Sequence, residues 1–558
     1  MGKHSTTDIA IRKNKLRIGL ILDDLSVAAW KLRLIEVVQN SDYAEISLVV
    51  LTGRNPLLQP KAPSGPLAKV LDTVERFLVG RPGHIPDAFD RRDARQLLAG
   101  ATTLEIHPIA RQSFDYVEGD DLARIKDRSL DVLIQLSDRN LRGGVLQVAR
   151  CGMWSLHIGD NREDEPDVAG RTEVLQSLPV IASELEVQTN DVDEPMILCR
   201  SYSSTNAASL LDNASRVLWK SLHFVPRLLK ELHESGEETF FARVRERNVH
   251  SQYRGRKSRR RLTNGKRLVL LWKKLLEALL RKWNARFHYD QWLLLYAFQS
   301  DISTDLSRFK HILPPKDRFW ADPFIVSRDG KFYVFFEELL YSENKGKISV
   351  LEIDKDGTIQ PQTTVLETPY HLSYPFVFEF ENSLYMIPES KQNRTIELYK
   401  CTEFPLKWEF EKNLMENCMA TDATLMEWHG KWWMFVSQIE TEGASTWDEL
   451  FLYFSDSPLS SRWTPHPLNP VVSDVRSARP AGRLFERQGR LFRPSQNSSG
   501  HYGYGFNLCE IVKMSETEYE ETVTERVEPK RDTNVTSTHT FNHANGLTII
   551  DGQLRRRL

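Results

Sequence analysis

Read as a pattern of apolar and polar positions, the chain changes texture twice. Leu16 to Leu22 is an apolar run suited to a buried strand, Ser26 to Val38 repeats at helical spacing, and Glu45 to Leu51 and Asp131 to Leu136 are two further strand-like runs, the last followed by a helical stretch toward Cys151. Strands alternating with helices predict a parallel α/β sheet. Pro56 to Pro86 reads as a surface excursion rich in proline and glycine, and Ala207 to Glu234 as helix closing the domain.

Past this domain comes a basic connector. Arg254 to Arg261 carries Arg256-Lys257 and Arg259-Arg260-Arg261, and a helical pattern follows from Lys266 to Arg286. At 100° per residue Leu268, Trp272, Leu275, Leu279 and Trp283 share one face, and Lys266, Lys273, Lys274, Glu277 and Arg281 share the other. A cationic amphipathic helix of this kind suits an anionic membrane surface, contacted through 254–286, and equally suits packing between domains.

Beyond Arg286 the period shortens to strand alternation with aromatic residues, which marks a boundary near Tyr289. A repeat is visible in this half. Ala321-Asp322-Pro323-Phe324 leads to Asp329-Gly330-Lys331-Phe332, Ser373-Tyr374-Pro375-Phe376 to Asn382-Ser383-Leu384-Tyr385, Thr421-Asp422-Ala423-Thr424 to His429-Gly430-Lys431-Trp432-Trp433, and Ala478-Arg479-Pro480 to Gln488-Gly489-Arg490-Leu491-Phe492. The copies start about 50 residues apart, with a weaker fifth from His543 to Gly552. Each is a strand, a tight turn and a second strand with room for two more, which is one propeller blade. Five copies predict a five-bladed β-propeller whose last blade borrows Trp292 to Phe298, with Phe332, Tyr385, Trp432, Trp433 and Phe492 as blade core. The predicted organisation is a flexible N-terminus over 1–14, an α/β domain over 15–240, a basic linker and helix over 241–288, and the propeller over 289–558.

Composition narrows the partners. The chain has 558 residues, 41% hydrophobic, and a net charge of −2, which argues against a dedicated nucleic-acid binder. That average hides 16 basic residues against Glu246 and Glu277 between Arg243 and Arg286. Cys151, Cys199, Cys401, Cys418 and Cys509 show no C-x-x-C spacing, so reduced thiols, no metal site and a cytoplasmic setting are expected, with the basic connector resting on the inner membrane face. Asp23-Asp24 interrupts Ile18 to Leu22 too early for a signal peptide, and no apolar run is long enough to span a bilayer.

The candidate chemistry sits at the first position of each repeat. Innermost propeller strands line one channel, so Asp322, Tyr374, Asp422, Arg479 and His543 converge, with Glu337, Glu338 and Glu389 near the same mouth. Paired carboxylates, one ionised and one protonated, are what glycosidic chemistry requires. This reading needs Asp322 and Asp422 about 5–10 Å apart in an open funnel; sealed in ion pairs, they are structural.

Trp320-Ala321-Asp322-Pro323-Phe324, Tyr370-His371-Leu372-Ser373-Tyr374-Pro375, Ile387-Pro388-Glu389-Ser390, Thr421-Asp422-Ala423-Thr424, Ser477-Ala478-Arg479-Pro480-Ala481-Gly482 and Thr538-His539-Thr540-Phe541-Asn542-His543 together resemble the N-terminal domain of plant glucosamine inositolphosphorylceramide transferases and its bacterial relatives. That domain is similar to the propellers of arabinanase-, levansucrase- and invertase-type glycosidases. The resemblance implies that Asp322 acts as base or nucleophile and Asp422 supports the transition state; Tyr374 and Arg479 suit sugar hydroxyls or an anionic sugar or phosphate, and His539 and His543 are further candidate substrate ligands. The fourth blade offers Arg479 and Arg483 where those glycosidases carry an acidic glutamate, so Glu389 or a histidine would have to supply the proton. The transferase domain of the plant proteins lies beyond the matching region, so their activity does not carry over.

Residues from Lys15 to Leu232 resemble the formyltransferase fold, through Leu16 to Leu22, Asp131-Val132-Leu133-Ile134, Gly152-Met153-Trp154-Ser155-Leu156-His157 and Val192-Asp193-Glu194-Pro195. The resemblance implies proton transfer by His157, with Asp193 polarising it, and a formyl-folate cofactor. Ser155 stands where the family has asparagine, a loss that typically costs about 10²–10³ in rate. Three readings remain open: a cell-surface glycan or glycolipid enzyme working through the propeller on a glycan, sugar-nucleotide or glycolipid, a folate-dependent sugar N-formyltransferase with the propeller as binding module, and a non-catalytic glycan-binding scaffold.

Overall fold

A computed structural model of the chain describes residues 14–53, 85–111, 114–159, 170–189, 195–205, 209–250, 264–299, 302, 304–529 and 534–557. It forms two compact units, one of Met1–Thr172, Ala182–Arg200 and Ser209–Asn264, the other of Glu173–Ile181, Ser201–Ala208 and Gly265–Leu558. The division differs from the expected boundaries. Position 240 falls inside a helix, Glu237–His250, and two short segments of the first stretch group with the second unit.

The first unit is built on a seven-stranded sheet, ordered Met196–Ser204, Val180–Val187, Met153–Ile158, Val132–Gln135, Leu16–Leu22, Ala44–Leu51, Thr102–Glu105. The last five run parallel and Val180–Val187 runs antiparallel to its neighbour. Leu16–Leu22 buries every residue but Arg17, as a strand covered on both faces must. Three local expectations change. Ser26–Ala28 is a strand paired with Arg91–Asp93, so the first helix starts at Ala29. The stretch toward Cys151 is only a short 3-10 turn, Gly143–Gln147, where two adjacent glycines disfavour a longer helix. The closing helix is two, Leu210–Ser221 and Phe224–Ser235. Pro226 has no N–H to return to the carbonyl of Leu222, so it fits only in a first turn and forces a new start. The Pro56 to Pro86 excursion lies almost wholly outside the described residues.

The second unit contains five antiparallel sheets in succession. The first is Arg318–Arg328, Lys331–Leu340, Lys345–Ile353 and Thr363–Leu366, and the second is Ser373–Phe380, Ser383–Ser390, Thr395–Glu403 and Lys407–Glu416. The third is Met419–Trp428, Lys431–Ile439, Glu449–Ser455 and Thr464–Pro465, and the fourth is Phe485–Arg487, Arg490–Asn497, Gly505–Met514 and Tyr519–Val527. The fifth joins the two ends: His288–Phe298 pairs along its full length with Leu547–Arg557, which also carries Val535–Ser537 and Phe541–Ala544. The fifth repeat is weak in sequence because its blade is assembled from both ends of the domain.

One turn recurs in all five blades. Asp329-Gly330, Glu381-Asn382, His429-Gly430, Gln488-Gly489 and Asn545-Gly546 each place two successive residues at positive φ. This is the twist-matched two-residue hairpin, which explains the Gly or Asn at its second position. Aromatic side chains fill the space between sheets: Phe332, Tyr385, Trp433 and Phe492 are buried, and Trp432 is half-buried against Phe378 and Phe380.

Candidate functional site

In blades one to three the hairpin register slips at the same place, between Ala321 and Phe324, Ser373 and Phe376, and Thr421 and Thr424. The slip holds Asp322 (φ 52°), Tyr374 (φ 44°) and Asp422 (φ 59°) in the left-handed region. A bulge re-aims a side chain, and a non-glycine residue held there costs of order 1 kcal/mol or more. Three equivalent bulges thus swing three polar side chains inward from three blades. Bonds across blades hold them there. Tyr374 Oη accepts from the Gly482 amide at 2.7 Å and lies 2.9 Å from Thr424 Oγ1, while Asn542 Nδ2 donates to the Pro323 carbonyl at 2.6 Å.

The centre separates into structural and available groups. Asp422 takes Arg479 through Nε on Oδ2 and through Nη2 on Oδ1 at 3.1 Å, and Gln496 Nε2 on Oδ2 at 3.1 Å. Asp422 and Asp322 are both buried, at 1% and 3% exposed, but Asp422 has both oxygens in use, which leaves none for the catalytic role expected of it: it is the counter-ion that orients Arg479. Burial, opposed by Arg479, pushes it up to about 6, still ionised at neutral pH. Tyr374 is likewise sealed, at 0% exposure, and acts as a hydrogen-bond hub instead of a substrate ligand.

Asp322 belongs to a different network. His539 lies between two carboxylates, Nε2 at 3.2 Å from Asp322 Oδ1 and Nδ1 at 2.9 Å from Asp551 Oδ2, and Thr540 Oγ1 donates to Asp322 Oδ1 at 2.7 Å. Burial opposes the imidazolium, but the charges of Asp551 and Asp322 outweigh it and push His539 up to about 10. Burial likewise opposes ionisation of Asp322, and His539 with Thr540 overcomes it, holding Asp322 below the usual carboxylate range. The ligand atoms of this trio lie within 4.8 Å of one another, a spacing that a cation could bridge. Held between the two carboxylates, the imidazolium makes the trio an ion triad.

Glu337 is the opposite case. Its Oε1 lies 3.3 Å from His371 Nε2, and His371 Nδ1 accepts from the Gly346 amide at 3.0 Å. That amide fixes the tautomer, with the ring proton on Nε2. Burial, then the charges of Asp322 and Glu389, raise Glu337 well above the usual range. Held neutral in this way, Glu337 carries a proton of its own. Gly346 is required by space, since a Cβ there would fall 2.5 Å from the Leu372 carbonyl oxygen and 2.8 Å from Glu337 Oε1. Adjacent Glu338 is committed elsewhere, to Arg318, Trp320 and Ser349.

Half-buried Glu389 accepts from Ser373 Oγ at 2.9 Å through Oε2. Buried Asp322 and half-buried Glu389 are therefore each tethered by one oxygen. Asp322 Oδ2, Glu337 Oε2, Glu389 Oε1, Arg479 Nη1 and Tyr502 Oη have no hydrogen-bond partner among the described residues. An aromatic wall adjoins them: the half-buried Tyr502 ring lies 5.0 Å from Arg479 Cζ, 5.1 Å from His539 and 5.4 Å from Trp447, and Trp292 is 4.4 Å from His539. Such rings stack on sugar faces and on cations alike.

His543 does not join this centre; it bonds Thr548 of its own hairpin through Nδ1 at 2.8 Å, and His539 takes its place because the fifth blade enters the axis one short segment earlier. Asp551, His371 and Tyr502 were missed in the sequence. Asp551 had a signal, a lone carboxylate after Ile549-Ile550 in an apolar run. In the first unit Ser155 and His157 are half-buried on Met153–Ile158, opposite Glu186 and Glu184 of the antiparallel neighbour. Glu184 is buried and ion-paired with Arg200. Asp193 lies outside the described residues, and the formyltransferase reading gains no support.

Residues 311–549 match the family model described as glucosamine inositolphosphorylceramide transferase 1, N-terminal. The transferase 1 of that name from Oryza sativa subsp. japonica is 38% identical over 206 residues, covering 36% of this chain and 27% of the relative. Its namesake from Arabidopsis thaliana is 35% identical over 206 residues, with the same 36% and 27% covered. The chain thus matches about a quarter of the length of these curated relatives. Among solved structures, a family 117 glycoside hydrolase of the marine bacterium Zobellia galactanivorans superposes with a TM-score of 0.32 at 10% identity, over 47% of this chain and 90% of the other. An exo-1,5-alpha-L-arabinanase from a bovine ruminal metagenomic library gives 0.31 at 16% identity, over 43% and 94%.

Proposed function

We propose that the propeller is a carbohydrate-processing site in which Glu337 delivers its carboxyl proton to the leaving oxygen of a glycosidic or glycosyl-phosphate bond, while Asp322 serves through Oδ2 as base or nucleophile. The observation that carries this reading is the opposite protonation of the two groups: one carboxyl is held ionised by His539, the other is held neutral by burial and by neighbouring negative charge. Environments that push two carboxyls apart define the acid and the base of such chemistry. Glu389 Oε1 then accepts from a sugar hydroxyl, and Arg479 Nη1 with Tyr502 Oη receives an anionic group. The family model that matches 311–549 and the curated relatives bear a name that pairs glucosamine with an inositolphosphorylceramide, which favours a phosphorylated, lipid-linked sugar as the substrate class. Glu337 replaces Glu389 as the acid in this proposal because Glu337 is the carboxyl that burial and neighbouring negative charge hold neutral.

The test uses the full chain, with glycosyl-phosphate and glycolipid candidates followed by mass spectrometry. Asp322→Asn and Glu337→Gln are each expected to lower turnover about 10²–10⁴-fold with binding retained, and an activated leaving group that needs no proton restores turnover to Glu337→Gln alone. Equal turnover in wild type and both variants refutes the assignment. Binding without turnover in all three makes the site one of recognition only.

A further inference from the structure

The connector helix, Asn264–Asn284, turns its apolar face outward. Of the residues that the helical wheel places on one face, Leu268 is 43% exposed, Trp272 65%, Leu279 54% and Trp283 62%, while neighbouring Val269 and Leu276 reach 66% and 55%. The helix buries its other side, with Leu271 at 2% and Lys274 at 4%. The exposed apolar positions span an arc of roughly 120° at 100° per residue. Exposed Lys266 and Lys273 border one edge of that arc, and exposed Lys282 borders the other.

A continuous apolar strip of this size facing water calls for an occupant. Charge selects it. Residues 264–287 hold seven basic side chains and one acidic one, Glu277, which lies 3.6 Å from Lys274, and 254–261 adds six more basic residues. A second copy of the helix would set two strongly positive strips against each other. A nucleic acid would use the charge and leave the tryptophans and leucines wet. A neutral lipid surface would use the apolar arc and leave the charge idle. An anionic bilayer uses both: apolar side chains enter the headgroup boundary, tryptophan sits at that depth, and the flanking lysines meet lipid phosphates. Among the described residues no helix is long and apolar enough to cross a membrane, so the contact is in-plane.

We infer that Asn264–Asn284 is an in-plane anchor that docks this protein on an anionic lipid bilayer. The inference stands independently of the glycan chemistry proposed above. The full chain is floated with vesicles of phosphatidylcholine and with vesicles of equimolar phosphatidylcholine and phosphatidylglycerol, at rising salt. Flotation is expected with the anionic vesicles only, and weakens with salt. Neutralising Lys273→Gln and Lys282→Gln lowers partitioning about 5-fold each, and Trp272→Ser/Trp283→Ser lowers it without restoring any salt-independent binding. All four side chains are solvent-exposed, so the variants keep the wild-type unfolding midpoint, which is measured alongside. Absence of flotation with anionic vesicles overturns the inference, as does flotation that neither pair changes. A dimer in light scattering that Trp272→Ser/Trp283→Ser dissolves, without vesicle binding, assigns the strip to a second copy and overturns it too.

Discussion

If His539 is an imidazolium clamped between Asp322 and Asp551, its charge must show in the pH dependence of stability. In the unfolded chain the ring titrates near 6.5, and in the fold it titrates near 10. Between these values the folded state keeps a proton that the unfolded state has lost. Stability therefore falls as pH rises, by about 1.4 kcal/mol per unit. The contribution is fully present below 6.5 and is lost as pH passes through about 10, some 5 kcal/mol in all. Glu337 works in the same direction, since its raised value also lets the fold hold a proton that the unfolded chain gives up, so the slope of wild type alone is ambiguous. His539→Gln resolves it. At pH 6.5 the substitution leaves two buried carboxylates without their cation, which costs about 3–5 kcal/mol. Near pH 10 the wild-type ring has lost its own charge and that advantage has gone. Urea unfolding of both proteins, followed by tryptophan fluorescence at intervals from pH 6.5 to 10, is expected to give two stability curves that converge toward pH 10. Parallel curves across that range would mean a neutral His539 and would remove the cation that holds Asp322 ionised.

Two further substitutions test the division of the centre into structural and available groups. Tyr374→Phe removes the acceptor of the Gly482 amide in a site with no water-exposed surface, so unfolding in urea is expected to show a loss of about 1–3 kcal/mol; a loss below a few tenths would contradict the hub role. Asp422→Asn strands Arg479 as a buried cation and is expected to cost about 3–5 kcal/mol, whereas Asp422→Asn/Arg479→Gln costs less than the two single changes together. Additive losses in that cycle would show that the two residues do not act as a pair.

Much of the fold is legible in the residues themselves. The α/β period, the repeat of about 50 residues, the Gly or Asn at each blade turn and the closing strand near Trp292 all follow from local rules: apolar spacing, and a hairpin whose two central residues need positive φ. So do the first positions of the repeats and the amphipathic helix, because both are patterns along the chain. The sequence could not sort those positions. Asp322 and Asp422 occupy equivalent bulges with the same residue type, and only the packing of blades distant in sequence gives one of them an imidazolium on a single oxygen and the other a guanidinium on both. Nor could it single out Glu337 from Glu338. One turns toward Asp322 and Glu389 and is kept neutral, the other turns to Arg318 and is kept ionised. Protonation depends on burial and on charges supplied by other blades, and which face of an amphipathic helix meets water depends on what its other face covers. These are properties of three-dimensional neighbourhood, so they are decided by the tertiary structure alone.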